Sequence, residues 1–247
     1  MDWRLIFDQP AEGAWNMGLD EALLETAGRA GQGGCLRFYG WSQPTVSLGY
    51  FQRYEDRRLH VSSRDCSLVR RATGGGAIVH DVDLTYSVTL PVRDHVQAGL
   101  RVFYDVLHST LIEELATWGV TATWCAGADE GGKRQEPFLC FQRRCEGDVL
   151  VDGMKIGGSA QRRHKTGLLQ HGSVLLGRSP SAPELPGIED LGKIRIDPSE
   201  LADRWARRIG GRIGVALAVT TPTEEEFLLA KSFQQGKFLC DPWNRRR

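Results

Sequence analysis

Apolar residues recur every three or four positions at Val96, Leu100, Phe103, Leu107, Leu111 and Leu115. That spacing predicts the strongest helix of the chain, with Asp94 placed to cap it. A second amphipathic helix is predicted over Ala14 to Ala27, where Leu19, Leu23 and Ala27 lie along one face. Aromatic and β-branched residues predict strands at Cys35 to Tyr39 and Thr45 to Tyr50, joined by the turn Ser42-Gln43-Pro44, and alternation predicts another at Asp83 to Leu90. Leu68 to Arg71 and Gly76 to His80 read as strand ends around a glycine turn. Asp148 to Val151 and Met154 to Gly157 flank Asp152-Gly153, a pair suited to a type I′ hairpin, whose two central residues need positive φ. His171 to Leu176 is a further strand. Ala126 to Glu136, Gly-rich and charged, and Ser179 to Asp190, with three prolines, read as loops. Two helices are predicted to close the chain. Asp197 before Pro198 caps the first, and Thr221-Pro222-Thr223-Glu224 has capping-box spacing with Pro at the first helical position of the second. Strands and helices are mixed, with mostly short links suited to antiparallel pairing, which predicts an α+β fold in one domain over residues 1–247.

Composition narrows the function classes. With 247 residues, 41% of them hydrophobic, the chain is long enough to bury a full core. Lys+Arg and Asp+Glu both total 31, so no net field draws in nucleic acid or an anionic membrane, and neither is expected as a partner. Met1 to Pro10 lacks the apolar core of a signal peptide and no apolar run approaches a membrane span, so a cytoplasmic protein is expected. The six cysteines form no C-x-x-C pair, and His80, His164 and His171 share no ligand spacing, so no metal site is expected.

The segment Arg70-Arg71-Ala72-Thr73-Gly74-Gly75-Gly76-Ala77-Ile78-Val79-His80-Asp81 carries the most chemistry. Three successive glycines remove every Cβ, so a ligand can lie against bare backbone and its amide donors. Arg70 and Arg71 bring fixed charge and forked donors suited to a phosphate or carboxylate. Taken alone, a glycine triplet is more often a tight connection than a site. The spacing fits neither a Walker loop nor a dinucleotide fingerprint.

This dodecamer resembles the R-R-x-x-G-G-G-x-V-x-H-D signature of the lipoate/octanoate attachment family, the lipoate–protein ligases and their acyltransferase relatives. Similar blocks flank it in the family's order: Asn16 to Ala22, Arg37 to Trp41, Pro44 to Gln52, Asp83 to Ser87, Lys155 to Gln161 and Leu169 to Leu176. The resemblance covers most of residues 3 to 177. It implies a biotin/lipoate protein ligase-like catalytic domain with mixed and antiparallel sheets flanked by helices, followed from about residue 178 by a short helical tail ending in Asp241-Pro242-Trp243-Asn244. It also implies that Lys155 holds the acyl carbonyl or acyl phosphate, where an ammonium stabilises an oxyanion. Substrate-binding roles are implied for Arg70, Arg71, Gly74, Gly75, Gly76, His80, Gly158, Ser159, Gln161 and His171.

Two branches of the family imply different chemistry. Ligases activate free lipoate with ATP and need no nucleophilic cysteine, whereas cysteine-dependent octanoyltransferases hold octanoate as a thioester. Cys140 precedes Lys155 by the interval associated with the nucleophile of the transferases. A thiolate beside that lysine and the arginine pair has its ionised form favoured. Cys145 lies closer to the hairpin strand and is the lesser candidate. Gly74-Gly75-Gly76 follows the ligase pattern, and Arg143 to Gly147 replaces a more aromatic stretch of the transferases. On balance the resemblance is to the octanoyltransferases. It implies transfer of octanoate from octanoyl-acyl carrier protein, through Cys140, to a lysine of a lipoyl-domain protein such as the glycine cleavage H protein, without a cofactor. The alternatives are an ATP- and magnesium-dependent lipoate ligase, an amidotransferase between lipoyl domains, and a carrier-binding module without catalysis.

Overall fold

The computed structural model describes residues 2–27, 33–91, 99–127, 137–165 and 167–246. The expected Asp94 cap, Val96 and most of the expected loop at 126–136 lie outside the described residues. The first half of the chain forms β1 (Trp3–Phe7), α1 (Gly13–Thr26), β2 (Cys35–Tyr39), β3 (Thr45–Leu48), β4 (Ser67–Arg70), β5 (Ile78–His80), β6 (Asp83–Pro91) and α2 (Gly99–Thr117). The second half forms β7 (Ala122–Trp124), β8 (Val149–Val151), β9 (Met154–Arg163), β10 (Gly167–Leu175), α3 (Ile188–Gly192), α4 (Pro198–Ile213), β11 (Leu217–Val219), α5 (Glu224–Phe233) and α6 (Asp241–Asn244). Among the described residues no helix is long and apolar enough to cross a membrane.

Eight strands make one sheet in the order β11-β1-β2-β6-β10-β9-β8-β7. β1 pairs in parallel with β11 and β2, and the pairs from β2 to β7 are antiparallel. A smaller sheet runs β4-β3-β5, with β3 parallel to β4 and antiparallel to β5. The architecture is the expected α+β one with mixed sheets.

β2 shows why the large sheet is buried on both faces. Leu36 and Phe38 point into the main core, where α2 and α4 bring Leu107, Leu111, Leu115, Trp205 and Ile209. The alternate residues turn toward α1: Cys35 packs with Leu19 and Leu23, and Arg37 pairs with Asp20 at 2.8 Å. Period-two alternation therefore puts an apolar layer on one face and a charged pair on the other. The β8–β9 hairpin turns at Asp152 (φ 48°) and Gly153 (φ 72°), the left-handed pair expected of a type I′ turn.

The N-terminal stretch contains β1, whose Trp3 and Leu5 enter the main core. Two expectations are corrected. The tail from about residue 178 is not purely helical, because β11 extends the large sheet alongside β1. The last capping box is Thr223 with Glu226, not Thr221 with Glu224, and Pro222 precedes the cap. Glu226 is held there by Arg4 (2.8 Å) and Thr26 (3.0 Å), partners some 200 residues away that local spacing cannot reveal.

Candidate active site

The glycine turn is a scaffold that brings Cys140 to the sheet. Gly75 adopts φ 94°. A Cβ on Gly49 would lie 1.9 Å from the Gly75 carbonyl oxygen, and one on Gly76 would lie 2.9 Å from the Cys140 amide nitrogen. The segment around Cys140 docks on this bare backbone, with Ala77 N–H donating to Phe138 O (2.9 Å) and Cys140 N–H to Ala77 O (2.8 Å). Cys140 opens a single 3₁₀ turn, Cys140–Gln142.

Both arginines of the motif donate to the protein's own backbone carbonyls. Arg71 donates to the carbonyls of Gly74 and Gly76 (2.7 Å each) and of Ser47 (2.8 Å). Arg70 donates to Gly49 and Gln52 carbonyls and, through its other nitrogens, to Asn244 and Arg246 carbonyls at the end of the chain. Buried carbonyls need partners, and these two guanidiniums supply them to three separate segments. Arg71 remains a cavity wall residue, with burial pulling its pKa down to about 10.

Lys155 Nζ lies 3.6 Å from Cys140 Sγ and 2.8 Å from Asp148 Oδ2. Burial penalises the thiolate, yet Lys155, Arg71 and Arg143 together hold the Cys140 thiol below its ordinary range. Burial likewise opposes the Lys155 charge, and Cys140 with Asp148 outweighs it, raising the ammonium above its ordinary range. Cys145 contrasts with Cys140: burial and Asp148 push its thiol up, and its backbone N–H donates to Asp148 Oδ2 at 2.7 Å. Gly158 leaves the space for the charged pair, since a Cβ there would meet Lys155 Cε at 2.7 Å and Asp148 Oδ1 at 2.9 Å.

A cavity of about 520 Å³, counting its open mouth, joins these groups to apolar walls from Met17, Tyr39, Trp41, Ile78 and Phe141. Gly74, Gly75, His80, Gly158, Ser159 and His171 line it as well, so most of the residues named by resemblance converge there. Arg70, Gly76 and Gln161 do not line it. Gln161 instead donates to Gln170 on β10 at 2.7 Å. His80 is held between Asp83 (2.8 Å) and Ser47 (2.9 Å), and His171 between Asp20 (3.3 Å) and Thr73 (2.5 Å). Ser159 faces His108 at 3.1 Å, whose pKa burial lowers to about 4.

Sequence reasoning missed Asp148 and Ser47. Both left a signal: Asp148 is an acid just before the apolar strand Val149–Val151, and Ser47 interrupts a buried strand on the face away from Val46 and Leu48.

Comparison with known proteins adds the family. Residues 12–185 match the model described as the lipoyl protein ligase A/B catalytic domain. Octanoyltransferase LipM of Halalkalibacterium halodurans is 35% identical, with 99% of each chain covered. Octanoyltransferase LipM of Symbiobacterium thermophilum is 32% identical, with 100% of this chain and 99% of the relative covered. Among solved structures, a T. acidophilum lipoate protein ligase with bound lipoic acid superposes at TM-score 0.79, with 23% identity over 99% of this chain and 100% of that one. An ATP-bound lipoate-protein ligase A superposes at 0.78, with 23% identity over 99% of each. At that identity the likeness extends to the fold.

Proposed function

The chain belongs to the lipoyl protein ligase A/B catalytic domain family, and from that premise we propose that it is an octanoyltransferase of lipoate biosynthesis working through a thioester on Cys140. The observation that carries the mechanism is the 3.6 Å approach of Lys155 Nζ to Cys140 Sγ in a wall of the cavity. The thiolate attacks the carbonyl of octanoyl-acyl carrier protein, the carrier's sulfur departs and is protonated, and octanoate stays on Cys140. The ε-amine of a lysine on a lipoyl-domain protein, of the glycine cleavage H protein type, then attacks, leaving an amide and regenerating the thiolate. In both halves the Lys155 ammonium faces the carbonyl oxygen as it becomes an oxyanion.

Exchange between thioesters is nearly isoenergetic and amide formation runs downhill, so neither ATP nor a metal has a step to drive. A cytoplasmic setting is supported by the six free thiols, which suit a reducing compartment. The test is to incubate the enzyme with octanoyl-acyl carrier protein, without ATP, and weigh it intact. The expected result is one octanoyl adduct on Cys140 that a lipoyl domain removes. Cys140→Ser gaining and transferring octanoate at the wild-type rate, or transfer that requires ATP, sinks the reading.

A further inference from the structure

A second set of groups in the cavity wall has a fixed direction that the acyl-enzyme step leaves unused. Asp83 Oδ2 accepts from Thr85 (2.9 Å) and Ser173 (2.7 Å), and Oδ1 from the Asp81 N–H (3.1 Å). Burial opposes its charge, but His80 and these donors keep it ionised. An ionised Asp83 can only accept, so His80 Nδ1, at 2.8 Å, carries the proton and His80 Nε2 bears a lone pair. The hydroxyl of Ser47, 2.9 Å from Nε2, must therefore donate to it. Arg71 Nη1 donates to the same Ser47 oxygen at 3.3 Å. The chain of bonds runs one way, from Arg71 to Ser47 to His80 to Asp83. Ser47 and His80 both line the cavity that Cys140 and Lys155 line.

Aminolysis of a thioester needs somewhere for a proton to go. Lys155 is a poor acceptor, because Asp148 at 2.8 Å holds it as an ammonium even after the thiolate has been acylated. His171 has its Nε2 engaged by Thr73, which does not line the cavity. We propose that Ser47 and His80 are the proton-accepting relay for the second half of the reaction, in which the acceptor lysine takes the acyl group. This rests on the thioester mechanism proposed above. The amine nitrogen bonds to the thioester carbon, and the carbonyl pair moves onto oxygen. One N–H proton passes to Ser47 Oγ while the Ser47 proton passes to His80 Nε2. The oxyanion then collapses, the carbon–sulfur bond breaks, and Cys140 leaves as a thiolate facing Lys155. The imidazolium, stacked on Trp41 at 3.9 Å and paired with Asp83, returns its proton to water. Burial keeps His80 below its ordinary range, with Asp83 opposing and Arg71 and His171 adding to the effect, so the ring is neutral and ready to accept.

The experiment times the two halves separately on Ser47→Ala. Loading of Cys140 from octanoyl-acyl carrier protein is followed by intact mass, and transfer from the isolated acyl-enzyme by mass of the lipoyl domain. The expected result is transfer slowed about a hundredfold, within the usual range for lost acid–base help, and loading slowed far less. In His80→Ala, which opens space beside the cavity, added imidazole is expected to raise transfer without changing loading. Unchanged transfer in Ser47→Ala, or equal slowing of both halves, overturns the relay in favour of a bracing role. A wild-type enzyme that never acquires the adduct instead overturns the thioester mechanism itself.

Discussion

Replacing Lys155 with methionine removes the charge that faces Cys140 and keeps the length of the side chain. At 3.6 Å and an effective dielectric constant of about 20, the attraction lost by the thiolate is roughly 4–5 kcal/mol. Arg71 and Arg143 continue to favour the thiolate, while Asp148 opposes it more strongly once its partner is gone. A net loss of about 4–5 kcal/mol corresponds to roughly three to four powers of ten in thiolate population at neutral pH. The native thiol is held below its ordinary range, so removing the cause moves its ionisation upward. Alkylation of Cys140 by iodoacetamide, mapped by peptide mass as a function of pH, is then expected to shift its rise to more alkaline pH. Two other thiols serve as internal references: Cys35, pushed up to about 12 by burial, and Cys145, also raised. Because the variant leaves Asp148 buried beside an apolar group, folding is expected to weaken by about 3–5 kcal/mol. The double variant Lys155→Met with Asp148→Asn relieves that penalty and is expected to keep the displaced alkylation profile. A wild-type profile in the double variant would refute the assignment of the Lys155 charge as the main source of Cys140 activation.

Gly76→Ala places a methyl 2.9 Å from the Cys140 amide nitrogen, so the nucleophile must shift. Loading by octanoyl-acyl carrier protein should fall at least about tenfold, with about 1–3 kcal/mol of stability lost in urea titration. His108 should make folding acid-sensitive. Its folded pKa, about 4, lies below the unfolded value, so the unfolded chain binds the extra proton first and stability falls as pH drops from about 6.5 toward 4, by roughly 3 kcal/mol in all. Urea midpoints across that window check this, and His108→Gln should flatten the dependence. Asn244→Ala removes an acceptor for the Arg70 N–H (2.8 Å) and a donor to Phe238 O (2.7 Å), both buried. Each orphaned group costs about 1–3 kcal/mol, measurable as a fall in unfolding free energy.

Elements with several periods of pattern were legible in the sequence. α2 follows from its leucine spacing, the β8–β9 hairpin from Asp152-Gly153, and α4 from Asp197 before Pro198, whose side chain accepts from Ser199 and Glu200 N–H groups. β7 and β11 were not. Each has three residues, too few for any period, and each pairs along the edge of one neighbour, β8 or β1. The site was legible in part and for a different reason. Cys140 and Lys155 were found through their interval in a family resemblance, since nothing local says that a 3₁₀ turn and a hairpin strand will meet. What Arg70 and Arg71 donate to was not legible: Arg70 reaches the Gly49, Gln52 and Asn244 carbonyls, and Arg71 those of Ser47, Gly74 and Gly76. A guanidinium before a glycine turn looks the same in sequence whether it faces a ligand or the protein's own backbone.

The charges around Cys140 also explain why a buried aspartate stands beside a thiolate it disfavours. Before acylation the thiolate and Asp148 both face Lys155, and the ammonium is held from two sides. Once Cys140 carries octanoate the sulfur is neutral, and half of that hold is gone. A lysine with only the thiolate for a partner would then be free to lose its proton or change rotamer, because burial disfavours its charge. Asp148 prevents both. Its Oδ2 keeps Nζ at 2.8 Å and is itself fixed by the Cys145 N–H, while the absence of a Cβ on Gly158 leaves the pair room to stay in place. The oxyanion of the second half-reaction therefore meets an ammonium already in position. Asp148 makes the thiolate somewhat less stable, and in return the electrostatics of the site survive the change in charge that acylation brings.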